Sequence, residues 1–222
     1  MTRLALFDLD HTLLSGDSDV LWCQFLIDEG LLDRAEFEPR NRAMAERYAQ
    51  GLATPAEFSG FYAQTLAGAR VADWQTLRER FHADVVAPRI PASARDLVER
   101  HRQRGDRLVL TTATSRFLTE LTALGLGIDD LIATELEIDG GSYTGRTSGM
   151  PNMREGKVER LRDWLAAQGL PASAFADATF YSDSANDLPL LQAVGHAVAV
   201  DPDAVLEACA RDHGWTVLRL VR

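Results

Sequence analysis

Two aspartates, Asp8 and Asp10, stand two residues apart directly after a short apolar run at Leu4–Phe7. In an extended backbone, residues two apart carry their side chains on the same side, so both carboxyl groups can reach one ligand. A carboxylate can attack phosphorus and form an aspartyl phosphate, while a second carboxyl group protonates the leaving alcohol and then activates water. The pair therefore predicts phosphoryl chemistry, with Asp8 as the nucleophile and Asp10 as the general acid and base.

Two further acids, Asp183 and Asp187, follow a second apolar run at Ala178–Tyr181. If all four carboxylates converge on one crevice, they raise one another's pKa values unless a cation neutralises them. Hard oxygen ligands and a phosphate substrate favour Mg²⁺, which also reduces the repulsion between the nucleophile and the incoming phosphate. The acids therefore predict Mg²⁺ as the cofactor.

A third apolar run, Leu108–Leu110, leads into Thr112 just before a predicted helix. The Thr112 hydroxyl and the backbone N–H of Ala113 are groups that can hold a phosphate. Lys157 opens another predicted helix, where its ammonium group can stabilise the charge on the transferring phosphoryl oxygens. Thr112 and Lys157 are therefore predicted as catalytic and substrate-binding residues, and Ala113 as a substrate-binding residue.

The three apolar runs indicate buried parallel strands, and ligands of open α/β sheets bind beyond the carboxyl ends of such strands. Between the first two strands, about residues 18–86 show helical periodicity, including a capping box at Thr54, Pro55 and Glu57. We predict an α/β fold: a doubly wound parallel sheet with a helical cap inserted after the first strand. The core covers 1–16 and 88–222, and the cap covers 17–87.

Other elements follow from periodicity and from Gly and Pro punctuation. Four more helices are predicted, over Ala92–Arg104, Arg116–Leu124, Lys157–Gln168 and Leu188–Val194. The segment Glu137–Thr144 alternates around Asp139-Gly140-Gly141, which is typical of a hairpin. One small antiparallel excursion is therefore expected in a sheet that is otherwise parallel.

Taken in order, these motifs resemble those of the haloacid dehalogenase (HAD) superfamily of hydrolases, subfamily IB, the phosphoserine-phosphatase-like branch. The four similar segments are Asp8-Leu9-Asp10-His11-Thr12, Thr112, Lys157, and Asp183 to Asp187. The resemblance spans most of the chain. It implies a Rossmannoid core and a phosphatase that works through an aspartyl phosphate.

The resemblance also implies roles for individual residues. Mg²⁺ would be bound by the Asp8 and Asp183 carboxylates and by the carbonyl oxygen of Asp10. Asp187 would support catalysis by positioning Lys157.

The resemblance says less about the substrate. It places Asn186 near the phosphate, and it assigns Asp17 to the substrate amine, although Asp17 also precedes Ser18 and can begin a helix instead. An arginine that would grip a serine carboxylate cannot be singled out among Arg40, Arg42 and Arg47. Phosphoserine, histidinol phosphate and other phosphorylated amino alcohols therefore stay open, as do a phosphotransferase and a non-catalytic binding module.

Charge and cysteine content narrow the partners and the compartment. The 33 acidic residues outnumber the 23 basic ones, giving a net charge of -10 that repels nucleic acid. Cys23 and Cys209 are far apart and form no metal-binding or disulfide pattern, which favours a reducing cytoplasm. The apolar stretch near Leu4 is too short for a signal peptide or a membrane span. A small phosphorylated metabolite is the expected partner.

Overall fold

The computed structural model describes residues 3–222, and within them seven strands form one sheet. The strands are β1 (Leu4–Phe7), β2 (Arg107–Ser115), β3 (Asp130–Asp139), β4 (Ser142–Ser148), β5 (Thr179–Ser182), β6 (His196–Val200) and β7 (Thr216–Leu218). Their order is β4-β3-β2-β1-β5-β6-β7. Every neighbouring pair is parallel except β3 and β4, which are antiparallel. The three strands that carry the predicted site, β2, β1 and β5, are adjacent at the centre.

Nine α-helices connect and cover the strands of the described part of the chain. They are α1 (Ser18–Asp28), α2 (Arg34–Ala49), α3 (Pro55–Ala63), α4 (Gln75–Phe81), α5 (Ala92–Gln103), α6 (Arg116–Gly125), α7 (Glu155–Ala167), α8 (Leu188–Ala193) and α9 (Ala204–His213). The first five lie between β1 and β2, and α1 to α4, with short 3₁₀ and π turns, are called the inserted helices below. None of the helices within residues 3–222 combines the length and the apolar character needed to cross a membrane.

Side chains of β1 alternate between two hydrophobic clusters, one on each face of the sheet. Ala5 and Phe7 join the cluster that includes residues of α5 and α6, while Leu4 and Leu6 join the cluster that includes residues of α7, α8 and α9. Helices on both faces are the reason why the central strands read as continuous apolar runs. Trp22 of α1 also reaches the first cluster, where its ring lies 5.6 Å from that of Phe117. The inserted helices therefore pack on the core.

The architecture confirms the predicted fold class and the antiparallel excursion. Helix α3 begins with the predicted capping box, in which the Thr54 hydroxyl accepts from Glu57 N and the Glu57 carboxylate accepts from Thr54 N. The parallel start of β3, strands β6 and β7, and helix α9 were not among the predicted elements. Strand β2 also extends five residues beyond Leu110. The boundaries of the cap at 17 and 87 stay a prediction.

Candidate active site

Asp8 directly continues β1, and its backbone N–H donates to the carbonyl oxygen of Tyr181 in β5 at 2.9 Å. The chain then turns tightly, and the Thr12 hydroxyl comes back toward the strand ends. Thr12 Oγ1 lies 3.2 Å from Asp8 Oδ2 and 3.0 Å from Asp183 Oδ1, and it accepts from the Asp183 backbone N–H at 3.0 Å. One hydroxyl therefore brings the two carboxylates predicted as metal ligands to the same spot.

Lys157 lies in the first turn of α7, on the buried face of the helix. Its ammonium nitrogen donates to Asp8 Oδ1 and to Asp187 Oδ2, both at 2.7 Å, and the Ser182 hydroxyl donates to the same Asp187 oxygen at 2.7 Å. Gly156 lets the helix start this close to the preceding loop, since a Cβ there would lie 2.4 Å from the carbonyl oxygen of Pro151. The structure thus places Asp187 in direct contact with Lys157, the residue that it is predicted to position.

Burial and charge shift the pKa values of this group strongly. Burial raises the pKa of Asp8 to about 7, against the lowering influence of Lys157. Burial, with repulsion from Asp8, also raises the pKa of Asp183 well above its usual range. Burial alone would lower the pKa of Lys157, but the attraction of Asp187 and Asp8 outweighs it and raises that pKa. The carboxylates outnumber the cation that neutralises them.

Lys157 is the single lysine of the chain, and the other 22 of the 23 Lys and Arg residues are arginines. It is also almost fully buried, with 2 % of its side chain exposed. A compact ammonium group fits between two carboxylates, whereas the planar guanidinium of arginine needs a wider, forked arrangement of acceptors. A single lysine in a chain whose other Lys and Arg residues are all arginines therefore indicates a special role for position 157, and the sequence alone could have shown this.

Asp10 is held by hydroxyl groups rather than by a cation. Its Oδ1 accepts from the backbone N–H and the hydroxyl of Ser18, at 2.7 Å and 2.6 Å. Its Oδ2 accepts from the Thr114 hydroxyl at 2.8 Å, while the Thr112 hydroxyl is 3.5 Å away. Thr112 is fully buried, and Ala113 and Thr114 form the cavity wall beside it. The structure therefore brings Thr112 near Asp10 but behind the surface that faces a ligand.

A cavity of about 440 Å³ joins these groups. Six aspartates and one lysine line it: Asp8, Asp10, Asp17, Asp183, Asp187, Asp203 and Lys157. The opposite wall comes from the inserted helices and is mostly apolar: Val20 and Leu21 of α1, Ala45, Tyr48 and Ala49 of α2, and Phe58 of α3. The cavity is thus acidic at the sheet and apolar at the inserted helices.

Asp17 and Asn186, the remaining predicted site residues, also line the cavity. Asp17 caps α1, where its Oδ1 accepts from the Val20 backbone N–H at 2.9 Å, and burial raises its pKa to about 7. Asn186 Oδ1 accepts from Arg154 Nε at 3.2 Å, and its Nδ2 lies 3.5 Å from the carbonyl oxygen of Tyr48 in α2. The Asp17 side chain therefore caps α1 and lines the cavity at the same time.

Asp8 and Asp183 are the side chains that fit a divalent cation. Both converge at the Thr12 hydroxyl, and burial together with repulsion between carboxylates raises their pKa values, an effect that a hard oxygen-binding cation held between them would counteract. No three His, Cys, Asp or Glu side chains within residues 3–222 are grouped as a metal site. The resemblance implies the Asp10 carbonyl oxygen as a further protein ligand.

Several hydroxyl groups of the site were missed as individual residues in the sequence. They are Thr12, Ser18, Thr114 and Ser182. Thr12 belongs to the recognised first motif, so that motif was the available signal. The other three have no distinguishing spacing, and their contacts span up to 104 positions of the chain.

Comparisons with known proteins identify the family of the chain. A family model described as haloacid dehalogenase-like hydrolase matches residues 5–192. A histidinol-phosphatase from Neisseria meningitidis serogroup C is 40% identical over 219 residues, which cover 98% of this chain and 99% of the relative. A phosphoserine phosphatase from Mycobacterium tuberculosis is 33% identical over 226 residues, covering 98% of this chain and 70% of the relative.

Solved structures add evidence on the fold. A protein of unknown function from Bordetella pertussis Tohama I superposes with a TM-score of 0.92 at 43% identity, covering 98% of this chain and 99% of that one. A substrate-bound phosphoserine phosphatase reaches a TM-score of 0.71 at 16% identity, covering 98% of this chain and 93% of that one, a likeness of fold alone. The chain belongs to the haloacid dehalogenase-like hydrolase family. The phosphatase names of its relatives confirm the phosphatase predicted from the motifs.

Proposed function

We propose that this protein hydrolyses phosphomonoesters of small metabolites in the presence of Mg²⁺, with Asp8 as the nucleophile. Asp8 attacks phosphorus while Asp10 gives a proton to the leaving alcohol, and the aspartyl phosphate on Asp8 is then hydrolysed by a water that Asp10 deprotonates. The contacts of Asp10 with Ser18 and Thr114 support its role, since they orient the carboxyl group without a permanent positive partner.

Each remaining core residue has a separate task in this proposal. Lys157 holds Asp8 in place and stabilises the phosphoryl oxygens, and Asp187 keeps Lys157 oriented. Ala113 offers its backbone N–H to the phosphate, with Thr112 behind it. Mg²⁺, held by Asp8, Asp183 and the Asp10 carbonyl oxygen, supplies positive charge that offsets the repulsion between carboxylate and phosphate.

The leaving alcohol is proposed to contact the wall formed by the inserted helices, which we assign to a cap covering residues 17–87. The observation that carries the substrate class is the charge of the cavity. Among the described residues that line the cavity, Lys157 is the one lysine or arginine, and two carboxylates already occupy it, while His11 lines the cavity from the core side. At the wall formed by the inserted helices, a carboxylate on the substrate tail would therefore meet Asp17 and apolar groups without a cationic partner, which costs free energy.

An ammonium group on the substrate tail would instead be attracted to an acidic cavity. Asp17 lines the cavity, where its carboxyl group accepts from the Val20 backbone N–H, and burial with repulsion from Asp10 raises its pKa to about 7. Tyr48 and Phe58, whose ring centroids lie 4.1 Å apart with their planes inclined by 30°, add aromatic surface to the same cavity. We propose that the substrate is a phosphorylated amino alcohol without a carboxylate, a class that includes histidinol phosphate, in preference to phosphoserine.

The similarity to a protein named histidinol-phosphatase over nearly the full length of both chains supports this choice. The phosphoserine phosphatase with 33% identity supports the reaction, but the described part of the wall formed by the inserted helices has no lysine or arginine for a serine carboxylate. Both relatives are named as phosphatases, and their names differ in the part of the substrate that carries the phosphate.

A substrate panel tests the proposal directly. Purified protein with Mg²⁺ should hydrolyse histidinol phosphate with a kcat/KM at least about tenfold above that for phosphoserine, a difference of about 1.4 kcal/mol. Addition of a chelator should stop the reaction, and excess Mg²⁺ should restore it. A preference for phosphoserine would overturn the substrate class, whereas turnover without any divalent cation would overturn the cofactor.

A further inference from the structure

Strand β2 leaves its regular pairing with β3 at the point where it reaches the cavity. The register shifts between Thr112 and Ser115, so Ala113 and Thr114 bulge out of the ladder. Both bulged residues line the cavity. A bulge deprives backbone groups of their ladder partners, and buried groups then need partners elsewhere.

Asn152 supplies such partners from the loop before α7. Its side-chain Nδ2 lies 3.0 Å from the carbonyl oxygen of Thr112, 2.9 Å from that of Ile132 and 3.0 Å from Thr111 Oγ1. Its backbone N–H donates to Thr134 Oγ1 at 3.0 Å. Asn152 is fully buried. One residue therefore joins β2, β3 and the loop that leads to Lys157.

Thr134 completes the connection from its position in β3. Its hydroxyl donates to the carbonyl oxygen of Ala113 at 2.6 Å while it accepts from Asn152 N. The hydroxyl is thus bonded at once to the bulge and to the loop. Thr134 is almost fully buried, so water does not compete for these two bonds.

The observed orientation of the Asn152 side-chain amide leaves one buried acceptor atom unpaired. Its Oδ1 has no hydrogen-bond partner among the described residues, and a buried unpaired acceptor costs about 1–3 kcal/mol. Turning the amide over would aim this oxygen at the carbonyl oxygens of Thr112 and Ile132, which is worse. The position of Nδ2 against the two strands therefore determines the conformation of the side chain.

We propose that Asn152 and Thr134 are positioning residues for phosphoryl transfer, an inference that rests on the function proposed above. Together they tie the bulge that carries Ala113, on one side of the phosphate, to the helix that carries Lys157, on the other. Neither residue lines the active-site cavity. They set the spacing between the groups that receive the phosphoryl oxygens, and a misplacement of 1 Å costs up to about 100-fold in rate.

Thr134→Val is the decisive variant, because it keeps the shape and burial of the side chain while it removes both hydrogen bonds of the hydroxyl. With p-nitrophenyl phosphate and Mg²⁺, kcat should fall at least about tenfold, and the inhibition constant of inorganic phosphate should rise by a similar factor. Thr134→Ser keeps the hydroxyl and should remain within about threefold of the wild type in both measurements.

Thr122→Val is the matched control. Thr122 is equally buried, but its hydroxyl has no partner among the described residues, so the variant should behave as the wild type. Asn152→Ala should reproduce the losses of Thr134→Val, and the double variant should lose less than the product of the two. If Asn152→Ala does not fold, the three threonine variants still decide the question.

The outcome that overturns the positioning role is a folded Thr134→Val protein whose kcat and inhibition constant stay within twofold of the wild type. Calorimetric binding of inorganic phosphate separates this result from a failure of the proposed function. A wild type that binds phosphate without hydrolysing any ester would contradict the function, and the affinities of the variants would still test the positioning.

Discussion

The two walls of the cavity are built in different ways. At the sheet, Lys157, Asp8, Asp187 and Thr12 are joined by direct contacts of 2.7 to 3.2 Å, and each side chain has a charged or hydroxyl partner. At the inserted helices, the wall is mostly apolar, with Asp17 as the one acid contributed by this side. The sheet side allows one geometry, whereas the helical side can accept changes of shape.

This difference follows from what each wall does in the proposed function. Phosphoryl transfer requires charges at fixed positions, because electrostatic stabilisation depends on groups that need no rearrangement during the reaction. Recognition of the leaving alcohol requires only a complementary shape and one favourable charge. Substitutions at the sheet should therefore lower kcat for every substrate, and substitutions at the helices should raise KM for tailed substrates alone.

The largest effect is expected for Asp8→Asn. The neutral amide is a poor nucleophile and a weaker metal ligand, so kcat should fall at least about 1000-fold, or roughly 4 kcal/mol, on every substrate. Asp73→Asn, an exposed aspartate on the cap side, is the matched control and should leave kcat unchanged. An Asp8→Asn protein that retained a tenth of the wild-type kcat would rule out Asp8 as the nucleophile.

Lys157→Arg should be nearly as damaging, although it preserves the charge. The guanidinium group is too wide for the space between Asp8 and Asp187, whose oxygens both lie 2.7 Å from the ammonium nitrogen. We expect a loss of about 100-fold in kcat with p-nitrophenyl phosphate and with histidinol phosphate alike. A loss confined to the tailed substrate would contradict the assignment of Lys157 to the sheet side.

The contrast between the walls also explains which parts could be predicted. Asp8 and Asp183 directly follow strands, and Thr112 lies in β2 after the apolar run Leu108–Leu110, so their placement at one edge of the sheet could be derived from topology. The motifs then identified the family. Strands β6 (five residues) and β7 (three residues) were missed because no predicted site residue follows them, whereas the similarly short β1 and β5, with four residues each, lead into Asp8 and Asp183. Such short segments carry little periodicity.

Contacts between distant segments account for the rest. Thr114 meets Asp10 across 104 positions, and Asn152 meets Thr112 across 40, with no local pattern that marks either pair. The sequence also could not show that no arginine of the inserted helices reaches the described cavity. Arg40, Arg42 and Arg47 all lie in α2, a helix that does contribute to the cavity wall. Arg40 and Arg47 turn out to pair with the exposed Glu36 and Glu57, and none of the three arginines lines the cavity.

A moderate and substrate-dependent effect is expected for Asp17→Asn. The variant should raise KM for histidinol phosphate about tenfold and leave p-nitrophenyl phosphate within twofold, because the latter has no ammonium group. The amide oxygen can still cap α1, so the fold should persist. Equal losses on both substrates would contradict the role of Asp17 in recognition of the tail.

The same carboxyl group predicts a pH dependence. Burial raises the pKa of Asp17 to about 7, so the group is ionised above that value and becomes neutral as the pH falls through it. The attraction for an ammonium group is therefore present at pH 8 and lost toward pH 6, and KM for histidinol phosphate should rise as the pH falls. Asp17→Asn should remove this part of the pH profile. A variant whose profile matched that of the wild type would exclude Asp17 as its source.

The smallest effect is expected at the contact that joins the two walls. Arg154, just before α7, donates to the carbonyl oxygens of Gly51 and Ala53 in the loop between α2 and α3, both at 3.0 Å. Its backbone has φ 53° and ψ -124°, a conformation that favours glycine and costs another residue about 1–3 kcal/mol. The strain is maintained in a residue that holds the inserted helices against the core.

Two variants separate the contact from the strain. Arg154→Ala removes the guanidinium, including its bond to Asn186, and keeps the strain, so KM for histidinol phosphate should rise about threefold and KM for p-nitrophenyl phosphate by less. Arg154→Gly removes both, and should show the same KM but a higher melting temperature than Arg154→Ala, because glycine adopts this backbone conformation without a steric penalty. If KM stayed at the wild-type value in both variants, the cap wall would be held by its apolar packing alone, and the guanidinium contacts would have no part in substrate recognition.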